Sequence, residues 1–253
     1  MFKILNMFQI NEIIVGVMVG LVGIHLWKGQ CPIKKRKTII ISTEGNIGSG
    51  KSTLEKEMKA RLGIPVVHVR EPVDDWTKIK NKDGTTMLEL FYGDPTKYGF
   101  SFQIMAYISR LKLLMDAIKN NPGAIIMTER SLFTDKLVFA KMLYDTGNIE
   151  DVNYQIYLNW FDAFIKECPV HKLIYIKTTP ETCYQRINER ARDGEEKISL
   201  KYLTDCDHYH EQMMEEMKSI PKLVLDGNID MKETPDKMEN WLAQIREFIQ
   251  EEI

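Results

Sequence analysis

Cysteine is scarce in this chain: four in 253 residues, at Cys31, Cys168, Cys183 and Cys206. They form no C-x-x-C and no Cys/His ligand spacing, which excludes a disulfide framework and a structural zinc module and points to a reducing compartment. A surplus of one charge is missing as well. With 34 Lys+Arg against 36 Asp+Glu the formal net charge is −2, so coating nucleic acid or an anionic membrane is excluded as the main task. Internal repeats and low-complexity stretches are absent, and 44% hydrophobic with 28% charged residues is the composition of a globular protein with a sizeable core.

Long apolar runs are also missing, with one exception. Ile13–Trp27 carries no Asp, Glu, Lys or Arg and precedes Lys28 and the run Lys34-Lys35-Arg36-Lys37. Its fifteen residues are short of the roughly 20 that span a bilayer, and residues 8–27 take in Asn11 and Glu12. The expectation is a membrane tether in residues 8–27 whose basic flank, and with it the rest of the chain, faces the cytosol. A secretory signal lacks its small-residue cleavage site here, and a mitochondrial presequence lacks its Arg and Ser. Residues 1–37 are thus expected to be a separate N-terminal segment, and 38–253 one α/β domain.

From Thr38 onward short β-branched runs alternate with helical periodicity. The runs are Thr38–Thr43, Pro65–Val69, Ala124–Thr128, Leu173–Lys177 and Leu223–Asp226. They predict a parallel sheet of about five strands flanked by helices, the α/β architecture of a P-loop NTPase. In the longest helix Ile104, Ile108, Leu111, Met115 and Ile118 predict a buried stripe, while Gln103, Ala106 and Arg110 share another face.

Between the first run and its helix, Gly45-Asn46-Ile47-Gly48-Ser49-Gly50-Lys51-Ser52 fits G-x-x-x-x-G-K-[ST], with Thr53 following. Glycines let backbone N–H groups turn toward phosphate oxygens, the helix start adds partial positive charge, Lys51 reaches the terminal phosphates, and Ser52 suits Mg²⁺. The acceptor is to be sought at the other strand ends, since ligands of open α/β sheets bind there. Those ends carry Glu71-Pro72 and Glu129-Arg130-Ser131. Phosphoryl transfer needs a carboxylate for the attacking hydroxyl, cation screening and a positioned acceptor. Glu71 suits the first, Glu129 suits Mg²⁺, and Arg130 suits a bridge between acceptor and γ-phosphate. Arg186, Arg190 and Arg192 crowd one stretch and suggest a mobile lid. Asp205, Cys206, His208 and His210 sit in a helical stretch with no second ligand group and are read as packing.

These motifs, EGNIGSGKST, EPVDDW, LELFYGDP with FQ, TERSLFTD and RINERARDGE, resemble in order and spacing the deoxyribonucleoside kinase family, from about Lys37 to the C-terminus. The resemblance implies ATP as phosphoryl donor with Mg²⁺, a nucleoside acceptor, no nucleic-acid partner, and a homodimer. It implies that Glu71 is the base for the 5′-hydroxyl and that Arg130 contacts that hydroxyl and the transferred group. Tyr92 and Glu195 would hold the 3′-hydroxyl, Gln103 would pair with the nucleobase, and Trp76 would wall the base pocket. Arg190 and Arg192 would come from the lid, and Asp230 and Met231 from the loop that reads the donor adenine. Arg110 with Asp135 matches the deoxycytidine/deoxyguanosine kinase pattern, since a charged pair serves an exocyclic amino edge and crowds a thymine methyl. Two rivals share the fold: a thymidylate-type monophosphate kinase, and a non-catalytic structural subunit. Three departures stand out: Gly194 in the lid, Met231 where an aromatic residue is common, and the hydrophobic N-terminus.

Overall fold

The computed structural model describes residues 37–192, 194–229 and 234–251. The proposed tether in residues 8–27 therefore lies outside the described residues, as do Asp230 and Met231. Among the described residues no helix is long and apolar enough to cross a membrane.

Five parallel strands form the sheet: β1 (Ile39–Glu44), β2 (Val66–Val69), β3 (Ile125–Glu129), β4 (Lys172–Lys177) and β5 (Lys222–Asp226), in the order β2-β3-β1-β4-β5. Each expected run is found, its bounds shifted by no more than one residue. Helices cover both faces, so the central strands need apolar side chains on both, as parallel sheets do. Alternation sorts those side chains. Ile41, Met127, Ile174 and Ile176 meet α1 (Lys51–Arg61) and the C-terminal helix through Leu54, Met58, Leu242 and Ile245. On the opposite face Ile40 and Ile126 pack under Tyr107, Leu111 and Leu114.

The other helices are α2 (Val73–Trp76), α3 (Met87–Gly93), α4 (Pro95–Asn120), α5 (Leu132–Thr134), α6 (Lys141–Asp145), α7 (Asp151–Phe164), α8 (Pro180–Arg190), α9 (Leu200–Glu216) and α10 (Pro235–Gln250). A π-helical turn, Asp135–Ala140, joins α5 to α6. Asp94 caps α4, accepting from the Lys97 N–H, and Pro95 opens the helix where no donor is needed.

The predicted stripe of α4 needs correcting. Leu111 is buried, but Ile108 is 48% and Met115 38% exposed. The face carrying Gln103, Ala106, Tyr107, Arg110 and Leu114 is the one turned inward. Periodicity reports an apolar face without reporting which neighbour covers it, and here the polar Gln103 and Arg110 lie inside because they line a cavity.

Candidate active site

β1 lies between β3 and β4, so the loop after β1 has the end of β3 as its neighbour: Thr43 is in register with Glu129, and the Arg130 N–H donates to the Thr43 carbonyl. The loop is tight enough to require its glycines. A Cβ on Gly45 would meet the Ile176 carbonyl at 2.6 Å, and one on Gly48 the Cys183 carbonyl at 2.6 Å. Gly50 turns left-handed (φ 104°) directly into α1. Lys51, 5% exposed, folds back over the loop and donates to the carbonyls of Gly45 (3.1 Å) and Asn46 (2.7 Å). Burial first and the Arg130 charge second bring its ammonium down to about 8. Ser52 donates to Glu129 at 2.9 Å. A hydroxyl and a carboxylate at the mouth of this loop form an all-oxygen donor set, which fits Mg²⁺.

From this loop a cavity of about 400 Å³ runs to α4. It is lined by Gly48 to Thr53, Glu71, Trp76, Tyr92, Gln103, Arg110, Glu129, Arg130, Asp135, Arg190, Arg192 and Glu195. The structure therefore brings together the expected site residues of the described chain, and Gly45 and Asn46 complete the loop through the Lys51 bonds.

Toward α4 the cavity wall is a chain of ion pairs. Arg110 donates Nε to Asp135 (2.9 Å), Nη2 to Glu71 (2.9 Å) and Nη1 to the Glu129 carbonyl (2.6 Å). Arg130 approaches the same Glu71 oxygen through Nε at 3.1 Å. Burial would raise the Glu71 carboxyl, but Arg130, Arg110 and Lys51 outweigh it and hold it at about 2, so Glu71 is ionised at neutral pH. Burial wins at Asp135, whose carboxyl is pushed up despite Arg110. Arg130 has φ 65°, costly for a residue with a Cβ. Its backbone N–H on Thr43, and its carbonyl accepting from Thr128 Oγ1, hold it there.

Beyond the ion pairs the wall turns aromatic. Trp76 meets Phe102 edge-on at 5.5 Å and donates Nε1 to Ser109, while Phe102 stacks on Phe91 at 4.3 Å. Gln103 is 2% exposed, and its Oε1 has no hydrogen-bond donor. An orphaned amide oxygen in such a wall is costly unless a ligand pairs with it.

Over the loop, Arg190 donates to Glu195 at 2.5 Å and Arg192 at 3.4 Å. Glu195 is 6% exposed and lines the cavity; its neighbour Glu196 instead accepts from the Gly194 N–H. Arg186 differs from the other two: it donates to the carbonyls of Gly227 (2.7 Å) and Ile229 (3.1 Å), bracing the loop after β5.

Several residues at or behind the site are given no role from the sequence. Tyr202 and Phe139 line the cavity from α9 and the π turn. Glu44 takes hydrogens from Ser42 and Thr134 and ties β1 to the segment after Arg130. Glu55 is brought up to about 7 by burial and then by Glu129. His210 lies behind Arg130. Glu44 stands at the head of EGNIGSGKST and Glu55 one turn beyond Lys51 on the apolar side of α1, so these two offered a sequence cue.

A family model of deoxynucleoside kinases matches residues 41–250. The probable deoxycytidine kinase of Fowlpox virus (strain NVSL) is 35% identical over 218 residues, 83% of this chain and 88% of that protein. Deoxycytidine kinase 2 of Gallus gallus is 32% identical, covering 83% and 89%. The mitochondrial thymidine kinase 2 of Homo sapiens is 31% identical, covering 74% and 69%.

Proposed function

This chain belongs to the deoxynucleoside kinase family and phosphorylates deoxynucleosides, and from that premise we propose that it transfers the γ-phosphoryl group of ATP to the 5′-hydroxyl of deoxycytidine. Purine deoxynucleosides follow as weaker substrates and thymidine is poor. The buried Gln103 Oε1, an acceptor without a donor, supports a nucleobase at this wall, and the observation that carries the base preference is the Arg110–Asp135 pair, whose carboxylate can accept from a cytosine or adenine amino group. The same pair leaves little room for a thymine methyl.

In this reading the sugar lies across Tyr92 and Glu195, which hold its 3′-hydroxyl, and Trp76 covers the base. The 5′-hydroxyl donates to Glu71. A carboxylate held at about 2 is a weak base, which suits a loose transition state: Glu71 aims the hydroxyl and takes its proton as the bond to phosphorus forms. Arg130 contacts the hydroxyl and the transferred group, Lys51 the terminal phosphates, and Arg190 and Arg192 close from the lid. Ser52 and Glu129 hold Mg²⁺, which when bound neutralises charge on the phosphate oxygens. The backbone from Gly45 to Thr53 cradles the phosphates.

The acceptor end argues against a nucleoside monophosphate, because Arg110 is committed to Asp135, Glu71 and the Glu129 carbonyl and the ionised Glu71 would repel a phosphate on the acceptor. The test is initial-rate phosphorylation of the four deoxynucleosides and dTMP with MgATP. Turnover of deoxycytidine well above thymidine is expected. Thymidine alone would remove the base assignment, dTMP turnover would favour the monophosphate kinase, and ATP binding without turnover the structural subunit.

A homodimer belongs to the same proposal. Ile108 and Met115 of α4 and Val152, Ile156 and Trp160 of α7 are all more than a third exposed, on two helices that touch each other. Trp160→Glu should convert a dimer to monomer in sedimentation analysis; an unchanged mass would remove this face as the interface.

A further inference from the structure

His210 is fully buried in α9 and has no part in the transfer scheme above. Both ring nitrogens are nonetheless placed. Nδ1 lies 2.7 Å from the Cys206 carbonyl, which only accepts, so Nδ1 carries the proton. Nε2 therefore presents a lone pair, 3.4 Å from Nη1 of Arg130, and the Gly45 carbonyl, which accepts from that same Nη1, is the ring's other polar neighbour. Burial first and the Arg130 charge second bring the imidazole down to about 3, which keeps it neutral and an acceptor.

The guanidinium of Arg130 has five N–H donors in a rigid plane. Nε lies 3.1 Å from a Glu71 oxygen as an ion pair, and Nη1 serves the Gly45 carbonyl (2.8 Å) and His210. Nη2 has no protein acceptor among the described residues, and Arg130 lines the cavity. One face of the plane rests on Phe139, 4.9 Å from ring centroid to Cζ, and His210 meets that ring edge-on. With the plane and two of its corners fixed, the third corner is left for a ligand.

We infer that His210 is a positioning residue for phosphoryl transfer: by accepting from Nη1 it sets the rotation of the Arg130 guanidinium so that Nη2 faces the group in flight. The inference rests on the role proposed for Arg130. It also gives α9, the helix that follows the lid, a grip on the catalytic centre. The same helix accepts from Asn46 of the phosphate loop through the Leu203 carbonyl at 2.8 Å, so one rigid element references both the loop and the arginine.

The test uses the full chain, MgATP and its best nucleoside, with His210→Gln, His210→Asn and His210→Phe, each alone and combined with Arg130→Lys. Gln carries its amide oxygen near the place of Nε2, Asn near that of Nδ1. The Asn and Phe variants should lose about 10²-fold in kcat, the order expected for a misplaced catalytic group, with nucleoside KM little changed. The Gln variant should retain most of kcat. In the Arg130→Lys background the His210 substitutions should cost nothing further, because they act through the arginine. Equal losses for Gln and Asn, or losses additive with Arg130→Lys, would overturn the inference and leave His210 a packing residue. Wild-type kcat in Arg130→Lys alone would instead overturn the arginine's own role, and this inference with it. If His210→Phe does not fold, the Gln–Asn contrast decides.

Discussion

The two ends of the cavity meet charge in opposite ways. Around the acceptor, Arg110, Asp135 and Arg130 have side chains no more than 3% exposed, and both arginines converge on Glu71. Around the proposed donor site, Arg190 and Arg192 are 34% and 40% exposed and hold Glu195, in a stretch that leaves α8 through Ala191 at φ 47°. A buried pair is costly to break, because removing one member leaves the other uncompensated in a low dielectric; an exposed pair contributes little. In the proposed reading the acceptor end is thus built before substrate arrives, while the lid is held by contacts that can be exchanged. In the closed reaction complex Glu195 would turn to the sugar and its two arginines to phosphate.

The largest effect should fall at the centre of the rigid end. Glu71→Gln keeps the shape and removes the charge that both arginines share, and kcat should drop by about 10²–10⁴-fold with nucleoside binding nearly intact. Near-normal kcat would remove Glu71 from the reaction. The substitution also carries a pH signature. Glu71 sits at about 2 in the folded chain against an ordinary 4.5, so its contribution to stability is fully present above 4.5 and lost as pH falls toward 2. The gap in melting temperature between wild type and Glu71→Gln should therefore be widest at neutral pH and close on acidification.

Next is Arg110, whose guanidinium spans Asp135 and Glu71. Arg110→Met alone leaves two carboxylates facing each other and should cost about 3–5 kcal/mol. Adding Asp135→Ala should restore much of that stability and admit thymidine. The double variant should still turn over more slowly than wild type, since Glu71 loses one of its two braces. An unchanged base preference in the double variant would break the link between this pair and the nucleobase.

Legibility in the sequence follows the same division. Strand ends are short, local and punctuated, so TERS and EP announced Glu71, Glu129 and Arg130 without any knowledge of packing. The phosphate loop was readable because its glycines answer to backbone clashes that only glycine escapes. What the pattern could not carry was partnership between distant segments. Arg186 reads as a third lid cation and does line the cavity, but its hydrogen-bond partners are backbone carbonyls of Ser49, Gly227 and Ile229, which no residue type encodes. His210 lies 80 residues from Arg130 and reads as one more position on an amphipathic helix. Ile108 and Met115 kept perfect helical spacing and still face outward, because α4 owes its inward face to the cavity as much as to the sheet.

The smallest effect on stability should come from the lid, and it is the one that most sharpens the contrast. Arg192→Ala removes the solvent-reaching member of a loose pair, at 3.4 Å, and leaves the buried Glu195 its closer partner Arg190, so the melting temperature should barely move, by the equivalent of about 0–1 kcal/mol. Activity should respond out of proportion. If Arg192 transfers from Glu195 to a phosphate oxygen on closure, the Ala variant lacks a charge-assisted hydrogen bond that the open lid does not need, and its KM for ATP should rise about 10-fold. Gly194→Ala separates hinge from charge: at φ +87° an added Cβ is strained, and it would stand 3.3 Å from Glu89 Cγ, while all three lid side chains remain. The Ala variant should lower kcat and raise KM for ATP together, as expected when closure itself is impaired. A lid whose two variants destabilise the chain as much as Arg110→Met would be a second rigid wall, and the division between a built acceptor end and an exchangeable donor end would fail.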